Sequence, residues 1–356
     1  MTRSSNFTAI ILDWYRQWGR DLPWRHTTDP YAIWLSEVIL QQTRIEQGLD
    51  YWQRFVQRWP TVGDLAAASE DEVLRMWQGL GYYSRARNLL AAARQVVEQG
   101  SFPATLEGIK ALKGVGDYTA AAIASIAYGQ PVAAVDGNVY RVLARHYGIA
   151  TPINSTQGKR EFAALAQSLL PERQAAAFNQ AMMDFGATWC TPKSPHCDGC
   201  PLADTCVALH SHRVAQLPVK LKTTQVRARY FQYIYLRCQG ETALRRRPAG
   251  DIWQGLYEPL LIETPQPPGD DAPAAIMAAL QWPAGTEPGE ACRLVQLRHG
   301  VKHQLTHRTI YADFYLLDTP VRPVLPAGYL WMPERDVGRY ALPRLVEKLL
   351  ALAGME

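Results

Sequence analysis

Four of the six cysteines fall close together, Cys190, Cys197, Cys200 and Cys206, in the spacing C-x6-C-x2-C-x5-C. Thiolates so compactly placed suit a metal centre, either an iron–sulfur cluster or zinc. Structural zinc usually joins two C-x2-C knuckles across a longer loop, and this chain has one such knuckle; four unrelated thiols are the bland alternative. A second chemistry is carried by two carboxylates. Glu37 lies inside the apolar run AIWLSEVILQQT and Asp136 inside AAVDGNVYRVLAR. A carboxyl in such company either turns out to water or is buried, which raises its pKa and suits it to general acid work. Asp136 stands just before a helical pattern, where aspartate is a favoured cap, so it can serve as cap and catalyst together. A third element is LKGVGDYTA, residues 112–120. Gly114 and Gly116 allow a tight turn that aims bare N–H groups outward at a helix start, a nest for a phosphate; an ordinary interhelical loop reads the same way in isolation.

These groups need a scaffold to bring them together, and the chain's 356 residues with 47% apolar content allow two cores. Residues 5–210 read as helices broken by short Gly, Pro and Asp punctuation, with Ala32–Gln47, Ser69–Leu80, Ser84–Glu98, Gly116–Ala127, Asn138–His146 and Gln174–Phe185 the clearest. QLPVKLKTT, 216–224, has the composition of a linker. Beyond it, Val226–Arg237, Tyr257–Ile262 and Thr309–Leu317 have the aromatic and β-branched content of strands, and a proline-rich stretch at 264–290 holds one short helix at Ala272–Leu280. The expected organisation is an all-helical domain over 1–215, a linker over 216–225 and a mixed α+β domain over 226–356. The net charge is only +4, and up to residue 222 there are 22 Lys and Arg against 19 Asp and Glu, so any phosphate-binding surface must come from local arrangement. No apolar run is long enough to span a bilayer and the first twenty residues lack a signal-peptide core, which points to a reducing cytosol. Cys238 and Cys292 receive no function.

Together the motifs resemble the MutY-type adenine DNA glycosylases of the helix–hairpin–helix base-excision superfamily, relatives of endonuclease III. The resemblance is strongest over residues 22–206. It implies that the four cysteines hold a [4Fe–4S] cluster that fixes a loop from which Lys193 meets DNA phosphate. LKGVGDYTA with the following TAAAIASIAYG is similar to the family's helix–hairpin–helix, with Gly114 and Gly116 at the phosphate. Bifunctional relatives carry a Schiff-base lysine at the place of Tyr118; a phenol cannot form an imine, so a monofunctional enzyme is expected. LSEVILQQT and VDGNVYRVLAR look like the motifs of the catalytic pair, which makes Glu37 the general acid and Asp136 the ionised group facing the sugar, with Asn138 orienting the aspartate or the water. By the same resemblance Gln42 and Tyr82 match the wedge that fills the stack after base flipping, Tyr82 reading otherwise as plain core. Trp24, Arg25 and Gln180 match the pocket wall.

Residues 226–356 resemble the MutT-like domain of the same family, with GDIWQGLYEPL similar to a Nudix Gly-Trp stretch. The glutamate array G-x5-E-x7-R-E-x2-E-E that holds magnesium in catalytic Nudix folds is absent from the sequence. In KHQLTHRTI, Leu305, Thr306 and His307 stand where many relatives carry Phe-Ser-His; a strand or turn before TIYADFYLL is the bland reading. The hydroxyl and imidazole suit hydrogen bonding to 8-oxoguanine, whereas Leu305 gives up an aromatic face. The implied partner is duplex DNA bearing adenine opposite 8-oxoguanine or guanine, bound by a monomer with no membrane involvement. The rivals are a non-catalytic DNA-binding protein and a glycosylase with lyase activity or another base preference.

Overall fold

The structure is a computed structural model that describes residues 3–221, 226–269, 271–284 and 291–355. In chain order its α-helices are α1 (Arg3–Trp18), α2 (Pro30–Ile39), α3 (Ile45–Arg58), α4 (Val62–Ala67), α5 (Glu70–Trp77), α6 (Ser84–Glu98), α7 (Leu106–Lys110), α8 (Asp117–Tyr128), α9 (Gly137–Tyr147), α10 (Thr156–Leu169), α11 (Ala175–Asp184), α12 (Val207–His210), α13 (Ala272–Ala279) and α14 (Arg344–Leu352). The chain divides into two compact units, one of residues 1–67 and 88–222, the other of 68–87 and 223–356.

The first unit is helical throughout its described residues. Phe7, Ile11 and Trp14 of α1 pack with Val142 and Leu143 of α9, Phe162 of α10 and Phe178 and Met182 of α11 in one core. α2 begins at Asp29, whose carboxylate accepts from the backbone N–H of Tyr31 and Ala32, with Pro30 at the first helical position. Eight of its ten residues are buried, so Glu37 is its lone charged member. α8 packs against α2, α7 and α11, and its buried residues are mostly small, Ala120 to Ala122 and Ala124 among them, which suits close helix packing. The single helix expected over Ala32–Gln47 is in fact two: α2 ends at Ile39, Gln42 adopts the left-handed region at φ 60°, and α3 restarts at Ile45. Apolar periodicity continued across the break because the connecting turn is itself half-buried, so the pattern alone did not reveal it.

The segment expected as a free linker is packed over 216–221. Leu217 is buried in the helical core, and the Val219 carbonyl accepts from Ile153 N–H at 3.0 Å. Residues 222–225 and 285–290, the ends of the expected linker and of the proline-rich segment, lie outside the described residues.

The second unit holds strands β1 (Arg227–Arg237), β2 (Glu241–Arg246), β3 (Tyr257–Glu258), β4 (Leu260–Thr264), β5 (Arg293–Gln304), β6 (Arg308–Asp318) and β7 (Tyr329–Pro333). They form two sheets, β4-β1-β6-β5 with β1 and β6 parallel, and β3-β2-β7. Phe231, Tyr233 and Phe314 pack with Leu345, Val346 and Leu349 of α14 on one side of this unit's core. The β5–β6 hairpin turns at Leu305–His307, closed by Leu305 N–H donating to the Arg308 carbonyl at 2.8 Å.

Residues 68–87 belong to this unit through long-range contacts that sequence proximity does not suggest. Arg246 pairs with Glu70 at 2.8 Å and Asp71 at 3.2 Å, Arg87 donates to the Gln254 carbonyl at 2.6 Å, and Gln78 accepts from Leu342 N–H and donates to Glu347.

Candidate active site

Glu37, on α2, and Asp136, at the N-cap of α9, line one cavity of about 590 Å³ within the helical unit. Tyr118, Asn138, Trp24, Arg25, Gln42 and Gln180 line it too, so eight of the residues singled out in the sequence come to a single place.

The chemistry of the pair follows from its surroundings. Tyr118 donates its hydroxyl to Glu37 Oε2 at 2.7 Å and also lies 3.0 Å from Met183 Sδ. Burial pushes the Glu37 carboxyl up to about 7; the Tyr118 bond works against this, and the negative charge of Asp136 adds to it. The side chain keeps a partly exposed edge that opens on the cavity, so it can meet a ligand while most of it is desolvated. Burial beside Glu37 holds the Tyr118 phenol well above its ordinary range, which keeps it a neutral donor.

Asp136 is helix cap and cavity residue at once. Its Oδ1 accepts from Asn138 N–H at 2.9 Å and Val139 N–H at 2.8 Å, and its Oδ2 from Asn138 Nδ2 at 2.7 Å. Burial raises its pKa above the ordinary value, opposed by these three bonds and by Arg141. Asn138 is held in turn by Arg141, which donates to its Oδ1 at 2.8 Å, to the Gly186 carbonyl at 2.6 Å and to the Cys190 carbonyl at 2.7 Å. One turn on, Arg145 donates to the Thr191 carbonyl at 2.7 Å and lies 3.3 Å from Cys190 Sγ. A chain of bonds thus runs from the cysteine loop to Asp136 along one face of α9.

Gly186 permits the close approach. A Cβ there would lie 2.6 Å from Asn138 Cβ and 2.9 Å from its carbonyl oxygen. It sits in a π-helical turn, Phe185–Trp189, that leads directly into Cys190. Sequence reasoning missed Gly186, Arg141 and Arg145. Two arginines four apart on the apolar face of VYRVLARHY were the signal for the latter two, since buried cations need partners.

Arg25 lines the cavity, but its guanidinium is committed. Both terminal nitrogens bind Asp184 at 2.7 Å, and Arg20 joins the same carboxylate. Burial alone would raise Asp184, yet the two guanidiniums hold it below its ordinary range. Trp24 is buried against Trp52 and offers the cavity an apolar face.

Gly114 and Gly116 lie outside the cavity lining. Gly114 has φ 77° and backs onto the Asn88 side chain, while Gly116 caps α8 with no side-chain bond and open space beside its Cα. In the second unit Tyr82, 51% exposed and at φ 47°, shares a 2.9 Å hydrogen bond with Thr306 of the hairpin tip; it is not core. His307 beside it is exposed, and Leu305 packs partly on the sheet core.

Cys190, Cys197, Cys200 and Cys206 are unpaired and surround one apolar void. Burial pushes the Cys200 thiol up to about 11, so thiolates here require a cationic centre among them. Among the described residues no group of three or more His, Cys, Asp and Glu is close enough to hold a single metal ion, and the four-thiol donor set around the void is of the kind that holds an iron–sulfur group. Among these residues too, no helix is long and apolar enough to cross a membrane.

With this geometry in view, comparison with known proteins is consistent. Residues 35–172 match the HhH-GPD superfamily of base excision DNA repair proteins, residues 190–206 the iron–sulfur binding domain of endonuclease III, and residues 232–352 a NUDIX domain. An adenine DNA glycosylase of Homo sapiens is 47% identical over 213 residues, 57% of this chain and 39% of its own length, so the chain spans about two-fifths of that relative. One of Buchnera aphidicola subsp. Schizaphis graminum is 32% identical over 254 residues, 70% of this chain and 73% of its own. The solved structure of a thermostable thymine-DNA glycosylase superposes with TM-score 0.55 and 31% identity, covering 58% of this chain and 97% of that one.

Proposed function

The chain belongs to the adenine DNA glycosylases of the helix–hairpin–helix base-excision repair superfamily, and on that premise we propose that it is a monofunctional enzyme hydrolysing adenine from mispairs with 8-oxoguanine or guanine. The observation that carries the reading is one cavity shared by two carboxylates 99 positions apart (136 minus 37), one of them with a pKa near 7.

Glu37, whose pKa near 7 keeps a large protonated fraction at neutral pH, gives its proton to N7 of the extruded adenine. With Tyr118 bonded to Oε2, Oε1 is left to carry that proton. The C1′–N9 bond then breaks with its electron pair going to the base, which leaves as neutral adenine. The sugar cation is stabilised by ionised Asp136, whose oxygens are held by Asn138 and two backbone N–H groups. Water adds to C1′ and loses its proton to the Glu37 carboxylate, which restores the acid. By the family resemblance Gln42 and Tyr82 are each assigned to wedge positions, and each carries a left-handed backbone, at φ 60° and 47°. Gly114, Gly116 and Lys193 meet phosphate, and Leu305, Thr306 and His307 face the opposite base.

The cofactor is a [4Fe–4S] cluster, and we assign its ligands to Cys190, Cys197, Cys200 and Cys206. When bound it supplies a cross-link that holds the loop, and Arg141 and Arg145 tie that loop to α9. Cys200→Ala is expected to lose the brown visible absorbance, melt at lower temperature and bind duplex DNA more weakly. Retention of both absorbance and DNA affinity would reject the assignment.

The decisive assay incubates the protein with duplexes bearing adenine opposite 8-oxoguanine, adenine opposite guanine, thymine glycol, or thymine opposite guanine. Strand scission only after alkali, on the adenine duplexes, and no adduct trapped by borohydride are expected, because Tyr118 cannot form an imine. Direct nicking or a borohydride adduct indicates a lyase, release of thymine a different base preference, and no base loss a DNA-binding protein.

A further inference from the structure

Several polar groups on the cavity wall are spoken for. Tyr118 binds Glu37, Arg25 binds Asp184, Ser36 donates to the Ile33 carbonyl at 2.7 Å, Gln41 donates to Thr119, and Asn138 is held between Asp136 and Arg141. Gln180 differs. Its Oε1 accepts from the Tyr15 hydroxyl at 2.8 Å, while its Nε2 has no partner among the described residues.

We propose that Tyr15 is a positioning residue that sets the direction of the Gln180 carboxamide, turning its NH2 group into the cavity to donate to an unprotonated ring nitrogen of the bound purine. A carboxamide can present either end to a ligand, and its two orientations fill the same volume. A phenol is a better donor than acceptor, so Tyr15 favours the orientation in which Oε1 faces it. The Arg25 guanidinium, 5.6 Å from the centre of the Tyr15 ring, strengthens that donation. Burial holds the phenol above its ordinary pKa, so the proton stays in place. With N7 taken by Glu37, the available ring nitrogens are N1 and N3. A base protonated at the one that Gln180 meets would oppose donor to donor and leave both groups unpaired.

This assignment rests on the adenine-releasing reading above, and its test keeps the two apart. Single-turnover base release is measured on duplexes carrying adenine, 1-deazaadenine or 3-deazaadenine opposite 8-oxoguanine, for the wild type, Tyr15→Phe, Gln180→Leu and the double variant. Each rate is normalised to that enzyme's rate on adenine. The wild type is expected to discriminate against one of the deaza bases by at least about fivefold relative to Gln180→Leu. Tyr15→Phe should lose that discrimination, and the double variant should behave as Gln180→Leu does. A merely structural role for Tyr15 would slow all three bases alike. Equal discrimination by wild type and Tyr15→Phe, or a Tyr15→Phe penalty of the same size in the Gln180→Leu background, overturns the inference while adenine release stands. Absence of adenine release by the wild type removes the functional reading, and this one with it.

Discussion

Glu37→Gln is expected to lower single-turnover adenine release by about 10² to 10⁴-fold while leaving DNA binding near the wild-type level, because the amide keeps the shape and the Tyr118 bond but has no proton to give. The pH profile identifies the group more directly. In the proposed mechanism protonated Glu37 is the active form, and with its pKa near 7 the wild-type rate should fall about tenfold per pH unit on the alkaline side of that value. The same mechanism requires Asp136 ionised, and burial raises it, so the acidic limb should begin above the ordinary aspartate range. Full activity of Glu37→Gln, or a rate flat between pH 6 and 9, would remove Glu37 from the chemistry.

The same carboxyl makes a claim on stability with a definite sign. Its folded pKa of about 7 exceeds the unfolded 4.5, so its stabilising contribution is present in full below about 4.5 and is lost as pH rises through about 7. Glu37→Gln should therefore melt higher than the wild type at pH 8, with the difference closing toward pH 5. A site kept reactive by burying an acid costs stability, and the neutral isostere relieves that cost.

The second large effect is expected at Asp136, where two substitutions separate cap from catalyst. Asp136→Asn keeps an oxygen for the N–H groups of Asn138 and Val139 but loses the bond from Asn138 Nδ2, so α9 should stay capped and the melting temperature should fall less than in Asp136→Ala. Base release should nonetheless fall at least about 10²-fold, since a neutral amide cannot balance the sugar cation. Asp136→Ala should lose as much activity and, in addition, about 1 kcal/mol of stability from the missing cap. If Asp136→Asn released adenine at the wild-type rate, the residue would be a cap alone. A stability loss equal for both variants would mean that the side-chain cap contributes nothing.

Much of the helical unit was legible because its signals are local. The helices expected over Gly116–Ala127 and Asn138–His146 are α8 and α9 to within a residue at either end, and Asp136 caps α9 as its place before a helical pattern implied. The second unit was less legible. β2, β5 and β7 were not marked in advance: β2 carries three charged residues in six, and β5 is largely exposed, so neither reads as an apolar strand. Nor did composition show the ion-pair network that holds GDIWQGLYEPL, in which buried Arg247 meets Glu258 and Asp251 while Arg229 joins Asp251 and Glu263. Arg25 illustrates the same limit within the site. Its place on the cavity wall followed from its motif, but its capture by Asp184, 159 positions away, did not.

By itself the sequence determined what near neighbours decide: the spacing of four thiols, the spans of most of the helices it marked, the cap at Asp136, and the absence of a magnesium-binding glutamate array. Tertiary structure decided what depends on desolvation and on distant partners. It placed Glu37 and Asp136 on one cavity, raised the first to a pKa near 7, joined 68–87 to the strand-bearing unit and turned Gln180 by way of Tyr15. Ligand spacing and capping act within a few residues of chain. A pKa is set by how much water packing removes and by which charges it leaves nearby, and no local run of residues encodes that.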